Sequence, residues 1–231
     1  MQKRGLSQEV MKGICCLVML FCHTAAVFFP HVMWVWILGR FVFPLYCFLM
    51  VEGAYHTKNP KKYALRLLIG AVISEIPYDY ALYGMFSWQH QNVMLSLLIG
   101  FVMVMCIKNL KNPLLQMLLV VPFALVGQWA HVDYGGMGIV LMAMFALTRD
   151  LPHKFWIQTV ATAAISYMTS AAKVPIAGVE VRVQTFAVLA MIPIALYSGR
   201  KMTHSKALQM GFYLFYPAHL ALLYILWSII R

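Results

Sequence analysis

Acidic residues are scarce in this chain: seven Asp and Glu among 231 residues, against 18 Lys and Arg. Charge of either sign makes up only 11% of the sequence, while 62% is hydrophobic and the mean hydropathy is +0.76. A soluble domain of this length needs far more charge to cover its surface, so lipid must be part of the solvent. No long polar stretch is left over for a separate soluble domain, because about nine spans of roughly 20 residues with short loops consume the length. Residues 1–231 therefore read as one membrane domain. There is no C-x-x-C and no Cys/His set with zinc spacing. Cys15, Cys16, Cys22, Cys47 and Cys106 all lie in apolar runs and read as reduced packing residues, and no metal is expected. G-x-x-x-G is absent and the halves show no repeat, which removes the easiest cue for an inverted-repeat transporter. No convincing small-x-small cleavage site follows Lys3, Arg4, Lys12 and the apolar run after them, so residues 1–29 read as a retained first helix.

What is there is a series of apolar segments: 10–29, 33–55, 63–84, 92–109, 113–130, 136–148, 155–172, 183–198 and 208–229. The expected architecture is an all-α, polytopic bundle. Alternate connections differ in charge. One set holds Lys3, Arg4, Lys12; Lys58, Lys61, Lys62; Lys108, Lys111; Arg149, Lys154; and Arg200, Lys201, Lys206. The other holds Lys173, Arg182 and Arg231. The positive-inside rule then puts the N terminus in the cytoplasm and the C terminus outside. The +11 net charge is mostly this topology signal, and nucleic acid is not needed to explain it.

Burying an ionisable group in hydrocarbon costs at least ~2.5 kcal/mol, so each one inside a span needs a reason. At about 1.5 Å per helical residue, His23 lies roughly 10 Å below the outer end of the first span and Arg40 at a similar depth in the second. Ser74, Glu75, Pro77 and Asp79 occupy the outer half of the third, Gln91 and Asn92 open the fourth, and Asp133 and Tyr134 sit at the mouth of the sixth. Glu75 and Asp79 are four apart and share a helix face. One explanation is an ion pair of Arg40 with either acid that only orients helices; the other is a reaction site or a permeation path. A second polar layer lies at the cytoplasmic face: Glu52, Gly53, Tyr55, His56, Thr57, then Lys58, Lys61, Lys62, Arg66, with Arg200 and Lys201. These cations serve either as topology anchors or as a site for a phosphate-bearing donor. Tyr216 and His219 share a face of the last span at mid-membrane.

The stretch Gly39 to Tyr46 (G-R-F-V-F-P-L-Y), with Val51-Glu52-Gly53 and His56-Thr57, resembles the TraX family. So do Arg66-Leu67-Leu68, Ser74-Glu75-Ile76-Pro77-Tyr78-Asp79, Gln91-Asn92, Asp133-Tyr134-Gly135, Gln184 through Pro193, and Phe215 to Leu220 (F-Y-P-A-H-L). The family is named for a conjugation protein that acetylates the N terminus of pilin, and it is grouped with membrane acyltransferases. The resemblance implies the cytoplasmic membrane of a bacterium, acetyl-coenzyme A as donor, and an extracytoplasmic amine as acceptor, with a hydroxyl as the less favoured choice. A homo-oligomer is compatible with it. A functional His in the first helix of the wider group maps to His23. An acid often precedes that His in the family, whereas here the neighbour is Cys22, so the carboxylate must come from another helix.

In that reading His23 removes a proton from the acceptor, oriented by Glu75 or Asp79, and Arg40, Asn92 or Tyr134 stabilises the oxyanion. His219 is a second candidate base or a covalent acetyl carrier. His56, Lys58, Lys61, Lys62, Arg66, Arg200 and Tyr216 are expected to hold the donor. The alternative is a secondary transporter in which Arg40, Glu75 and Asp79 bind a substrate or relay protons.

Overall fold

A computed structural model describes residues 5–169, 172–176, 178–203 and 205–230. Lys3, Arg4 and Arg231, three of the charges used for orientation, lie outside the described residues. Helix α1 (Gln8–Phe28) starts at Ser7, whose hydroxyl accepts the Val10 N–H at 3.2 Å. The expected second span is divided into α2 (Met33–Gly39) and α3 (Val42–His56). Pro44 explains the division: it has no N–H for the Arg40 carbonyl, and its ring crowds that carbonyl, so the helix restarts with Pro44 in its first turn. Arg40 is left at the corner, its backbone N–H turning back to the Ile37 carbonyl at 3.2 Å.

Helix α4 (Pro60–Tyr83) is capped by Asn59 and opened by Pro60, and Gly84 closes it at a φ of 74°, a left-handed position that favours glycine. Asn92 caps α5 (Val93–Asn109) and Asn112 caps α6 (Pro113–Trp129). Helix α7 (Gly135–Leu147) has 13 residues, about 20 Å of rise. That is short of a ~30 Å hydrocarbon layer, and α7 is accordingly buried inside the bundle, with Ile139, Met142 and Phe145 fully covered. Helix α8 (Lys154–Thr169) leads into a hairpin of β1 (Lys173–Ile176) and β2 (Val179–Arg182). The hairpin departs from the all-α expectation. Its β-branched residues and Gly178 at φ 81° supply strand and turn, and Val174 and Val183 bury against Ile37 of α2. The expected eighth span is a 3-10 run, Val183–Ala190, that continues into α9 (Met191–Ala195). Helix α10 (Lys206–Ile230) closes the chain alongside α4.

The core joins α3, α5 and α7 through Leu45, Phe101, Met103, Met142 and Phe145. The bundle's outside is also apolar: Leu17, Phe21, Val72, Ile76, Leu125, Val160 and Ile229 are all exposed. A surface this apolar suits lipid rather than water. Among the described residues three helical stretches, Gln8–Phe28, Ile37–His56 and Lys206–Ile230, are long and apolar enough to cross a membrane.

Candidate active site

The bundle contains a cavity of ≈ 530 Å³ between α1, α2, α3, α4, α10 and the turn before α7. Its wall includes His23 from α1, Arg40 from the corner, Phe43 and Tyr46 from α3, Asp133 and Tyr134 from the turn before α7, and Tyr216 from α10. The corner and the turn are what bring these side chains to one depth. The turn is pinned by backbone bonds between Gln91 and residues 131 and 133 and by Ser96 Oγ donating to the Asp133 carbonyl at 2.7 Å. Tyr134 sits in the left-handed region, at φ 64°, with its ring stacked on Phe43 at a centroid separation of 3.7 Å. Gly138 permits that stack, since a Cβ there would lie 2.9 Å from both Phe43 Cζ and Tyr134 Cβ.

His23 does not meet a carboxylate, as the sequence suggested; it meets His219. Nδ1 of His23 lies 2.7 Å from Nε2 of His219, and the two rings are parallel at 5.0 Å. Nδ1 of His219 is 2.7 Å from the Phe215 carbonyl oxygen. A carbonyl only accepts, so Nδ1 of His219 carries hydrogen and, in the neutral ring, its Nε2 accepts. His23 then donates from Nδ1, and its Nε2 keeps a lone pair. His23 lines the cavity, whereas His219 is 5% exposed and stands behind it. The order of the dyad is thereby set: Phe215 fixes His219, and His219 fixes His23.

Arg40 donates from Nη1 to Gln184 Oε1 at 3.2 Å and contacts the Tyr134 hydroxyl. The carboxylate whose charge it feels is Asp133. Burial pushes the Asp133 carboxyl up to about 6, against the opposing pull of Arg40 and the Tyr134 backbone N–H. Glu75 and Asp79 are engaged elsewhere: Glu75 with the Asn92 side chain and backbone N–H, Asp79 with the Ser87 N–H at 2.9 Å. One oxygen of each, and the Ser74 hydroxyl, are buried without a hydrogen-bond partner among the described residues. Asn92 is fully buried; its Oδ1 caps α5 and its amide hydrogens go to the Ala71 carbonyl (2.8 Å) and to Glu75. That leaves Asn92 no hydrogen for an oxyanion. The structure makes it a clamp between α4 and α5.

At the opposite end, a second cavity of ≈ 400 Å³ is walled by Lys12, His56, Arg66 and Lys201 together with Glu9 and Glu52. Arg66 stands over the rings of Tyr63 and Tyr213, at 5.6 and 5.5 Å. Lys58, Lys61, Lys62 and Arg200 are exposed and lie outside this wall. Glu52 is tied to Arg149 at 2.9 Å and Arg149 to Asp150 at 3.1 Å. Between the ends lies a third cavity of ≈ 80 Å³. It shares Lys12, Tyr63, Phe212 and Tyr213 with the basic cavity, and Met19, Tyr46, Val93 and Tyr216 with the histidine cavity. The three form one series through the bundle.

A family profile described as "TraX protein" matches residues 7–227. The chain belongs to the TraX family. A curated relative, the probable fimbrial assembly protein FimC (serogroup H1) of Dichelobacter nodosus, is 28% identical over 239 residues, spanning 92% of each chain. No solved structure matches.

Within this TraX-family fold, Lys12, Tyr46 and Tyr78 are cavity-wall residues to which the sequence assigned no role at the site. Lys12 read as a topology charge and Lys201 as either a topology anchor or a donor contact, and their shared wall sets them apart from other basic residues. Tyr46 and Tyr78 read as packing aromatics. The one available signal was Lys12 itself, a cation a full turn inside an apolar helix.

Proposed function

We propose that this chain is a membrane acetyltransferase taking acetyl from acetyl-coenzyme A at its basic, cytoplasmic end and passing it to an amine at its extracytoplasmic end. The reading assumes the nine-span topology in a bacterial cytoplasmic membrane, with the N terminus inside and the C terminus outside. The single observation that carries it is the run of three cavities, each sharing wall residues with the next, between the basic end and the His23–His219 dyad. Lys12, Arg66, Lys201 and His56 supply phosphate contacts, and the tyrosines at the middle cavity flank the pantetheine arm. The similarity to a probable fimbrial assembly protein supports a pilin-type N-terminal amine as acceptor; an envelope glycan is the other candidate.

The chemistry follows from the tautomers. His23 Nε2 takes a proton from the acceptor ammonium, and the freed nitrogen attacks the thioester carbonyl. Arg40 and the Tyr134 hydroxyl face the oxyanion of the tetrahedral intermediate. As that intermediate collapses the C–S bond breaks and the C–N bond stays. The coenzyme thiolate takes one proton, and the amide nitrogen's second proton passes to solvent. Asp133 offers the ammonium a counter-charge at the mouth.

Isothermal calorimetry with coenzyme A and acetyl-coenzyme A on detergent-purified protein tests this reading. A Lys12→Gln, Arg66→Gln, Lys201→Gln variant is run beside it. Binding in the range of enzyme KM values, roughly 1 μM to 1 mM, lost in the variant, supports the donor site. No binding to the unsubstituted protein would favour a transporter, a reading that the same cavities, the half-buried Glu75 and the buried Asp79 also support.

A further inference from the structure

Lys201 reaches the basic cavity from the loop after α9, and the first turn of α1, at the other end of the chain, holds that loop. The N–H of Gln8 donates to the Arg200 carbonyl at 2.9 Å, and the N–H of Met202 donates to Glu9 Oε2 at 2.8 Å. Lys201 lies between those two bonds. Leu6 extends the same clasp: its N–H reaches the Leu196 carbonyl at 2.7 Å, and its own carbonyl accepts the Ser198 N–H at 2.9 Å. Glu9, Lys12, Arg66 and Lys201 share one wall as a result. Lys12 feels Lys201 and Arg66 as like charges and Glu9 as an opposite one. Cations gathered this way repel one another, and an anion among them relieves the repulsion. Glu52, the other acid of the wall, is already engaged by Arg149.

We propose that Glu9 is the positioning residue of the basic cavity: its carboxylate fastens the loop that carries Lys201, while its charge opposes the anion the cations bind. The proposal rests on the acetyltransferase reading, which makes that anion the phosphates of the coenzyme. The two effects act in opposite directions. Fastening the backbone confines where a long side chain can reach, and so reduces the freedom lost when it meets a phosphate. A negative charge in the same wall weakens the binding of a polyphosphate. An amide differs from a carboxylate in charge, yet both offer an oxygen to the Met202 N–H. Substitution at Glu9 therefore separates the two effects.

Calorimetric titration of the full chain in detergent with coenzyme A tests this, using Glu9→Gln and Glu9→Ala. Glu9→Gln keeps the acceptor and drops the charge, and is expected to bind about 5-fold more tightly than the unsubstituted protein. A purely structural role for Glu9 predicts no gain in affinity. Glu9→Ala drops the charge as well but releases the loop, and is expected to bind about 5-fold more weakly than Glu9→Gln. That gap should close when Lys201→Gln is added to both variants, because the fastening acts through Lys201. Raised salt should shrink the gain in Glu9→Gln, since the opposing charge is screened. A Glu9→Gln variant that binds no more tightly than the unsubstituted protein overturns the proposal, as does a Glu9→Ala variant that matches it or a gap that survives Lys201→Gln. Each of those results leaves the donor site, and the transferase reading with it, standing. No binding of coenzyme A by the unsubstituted protein overturns both.

Discussion

At one end of the bundle the cavity wall is made of long charged side chains, Lys12, Arg66 and Lys201 against Glu9 and Glu52. At the other it is made of rings, Phe43, Tyr46, Tyr78, Tyr83, Tyr134 and Tyr216, with two imidazoles behind one another and Arg40 within electrostatic reach of Asp133. The first end places charges by length and flexibility, as snorkelling side chains do. The second places them by backbone: a corner made by Pro44, a turn with Tyr134 at positive φ, and a helix that Gly138 lets approach a stacked pair. Flexible cations suit affinity for a diffuse polyphosphate, while rigid placement suits a reacting atom. The same polar residue types thus carry different expectations at the two ends.

The sharpest test of that contrast is His23→Ala. It is expected to cut transfer by about 10²–10⁴-fold while leaving donor binding intact. Steady-state rates and calorimetry on one preparation would separate the two ends, and simultaneous loss of binding would dissolve the division. Arg40→Ala comes next, with transfer lowered about 10²-fold through kcat, as for removal of one oxyanion donor. Neutralising the basic wall by Lys12→Gln with Arg66→Gln should act on the donor's KM, about 10-fold, with kcat preserved; a kcat effect of that size would place these cations in the chemistry.

Asp133 supplies a gentler probe. Its folded-state carboxyl titrates at about 6 against an ordinary value of 3.8, so the folded protein holds the proton more tightly than the unfolded chain. The stability this contributes is complete below about 3.8 and is lost as pH rises through about 6. Thermal unfolding between pH 4 and 7 should therefore show a falling midpoint that Asp133→Asn flattens; a parallel slope in the variant would assign the proton elsewhere. Smallest is Glu52→Gln at the flexible end. Its pairing with Arg149 is partly solvated, and its loss should cost about 1 kcal/mol or less in unfolding free energy.

Much of the helical order was legible in advance. The spans at 10–29, 63–84, 92–109, 113–130 and 208–229 correspond to α1, α4, α5, α6 and α10 within a few residues, because asparagine caps, prolines and apolar runs are local signals. The break at Arg40 had a local cause in Pro44 that the apolar run masked. The hairpin at 173–182 was passed over because Val and Ile serve membrane helices and strands alike. Of the site, His23, Arg40 and Tyr134 were placed in one layer by depth alone, and the cavity wall includes all three. Depth could not say which neighbours touch. Asn92 shares that layer, yet its hydrogens are turned away from the cavity.

Sequence by itself determined the apolar composition, the charge alternation between connections, the helix caps and the membership of this chain in its family, all properties of residues near one another along the chain. Only the tertiary structure decided that His23 leans on His219, 196 positions away. It also brought Lys12 and Lys201 to one wall and set Met94 in the wall of the small cavity between two larger ones. Such contacts depend on how helices rotate about their axes and how deeply they interlock. Periodicity fixes which face of a helix is apolar, but a chain apolar on every face leaves that rotation to packing.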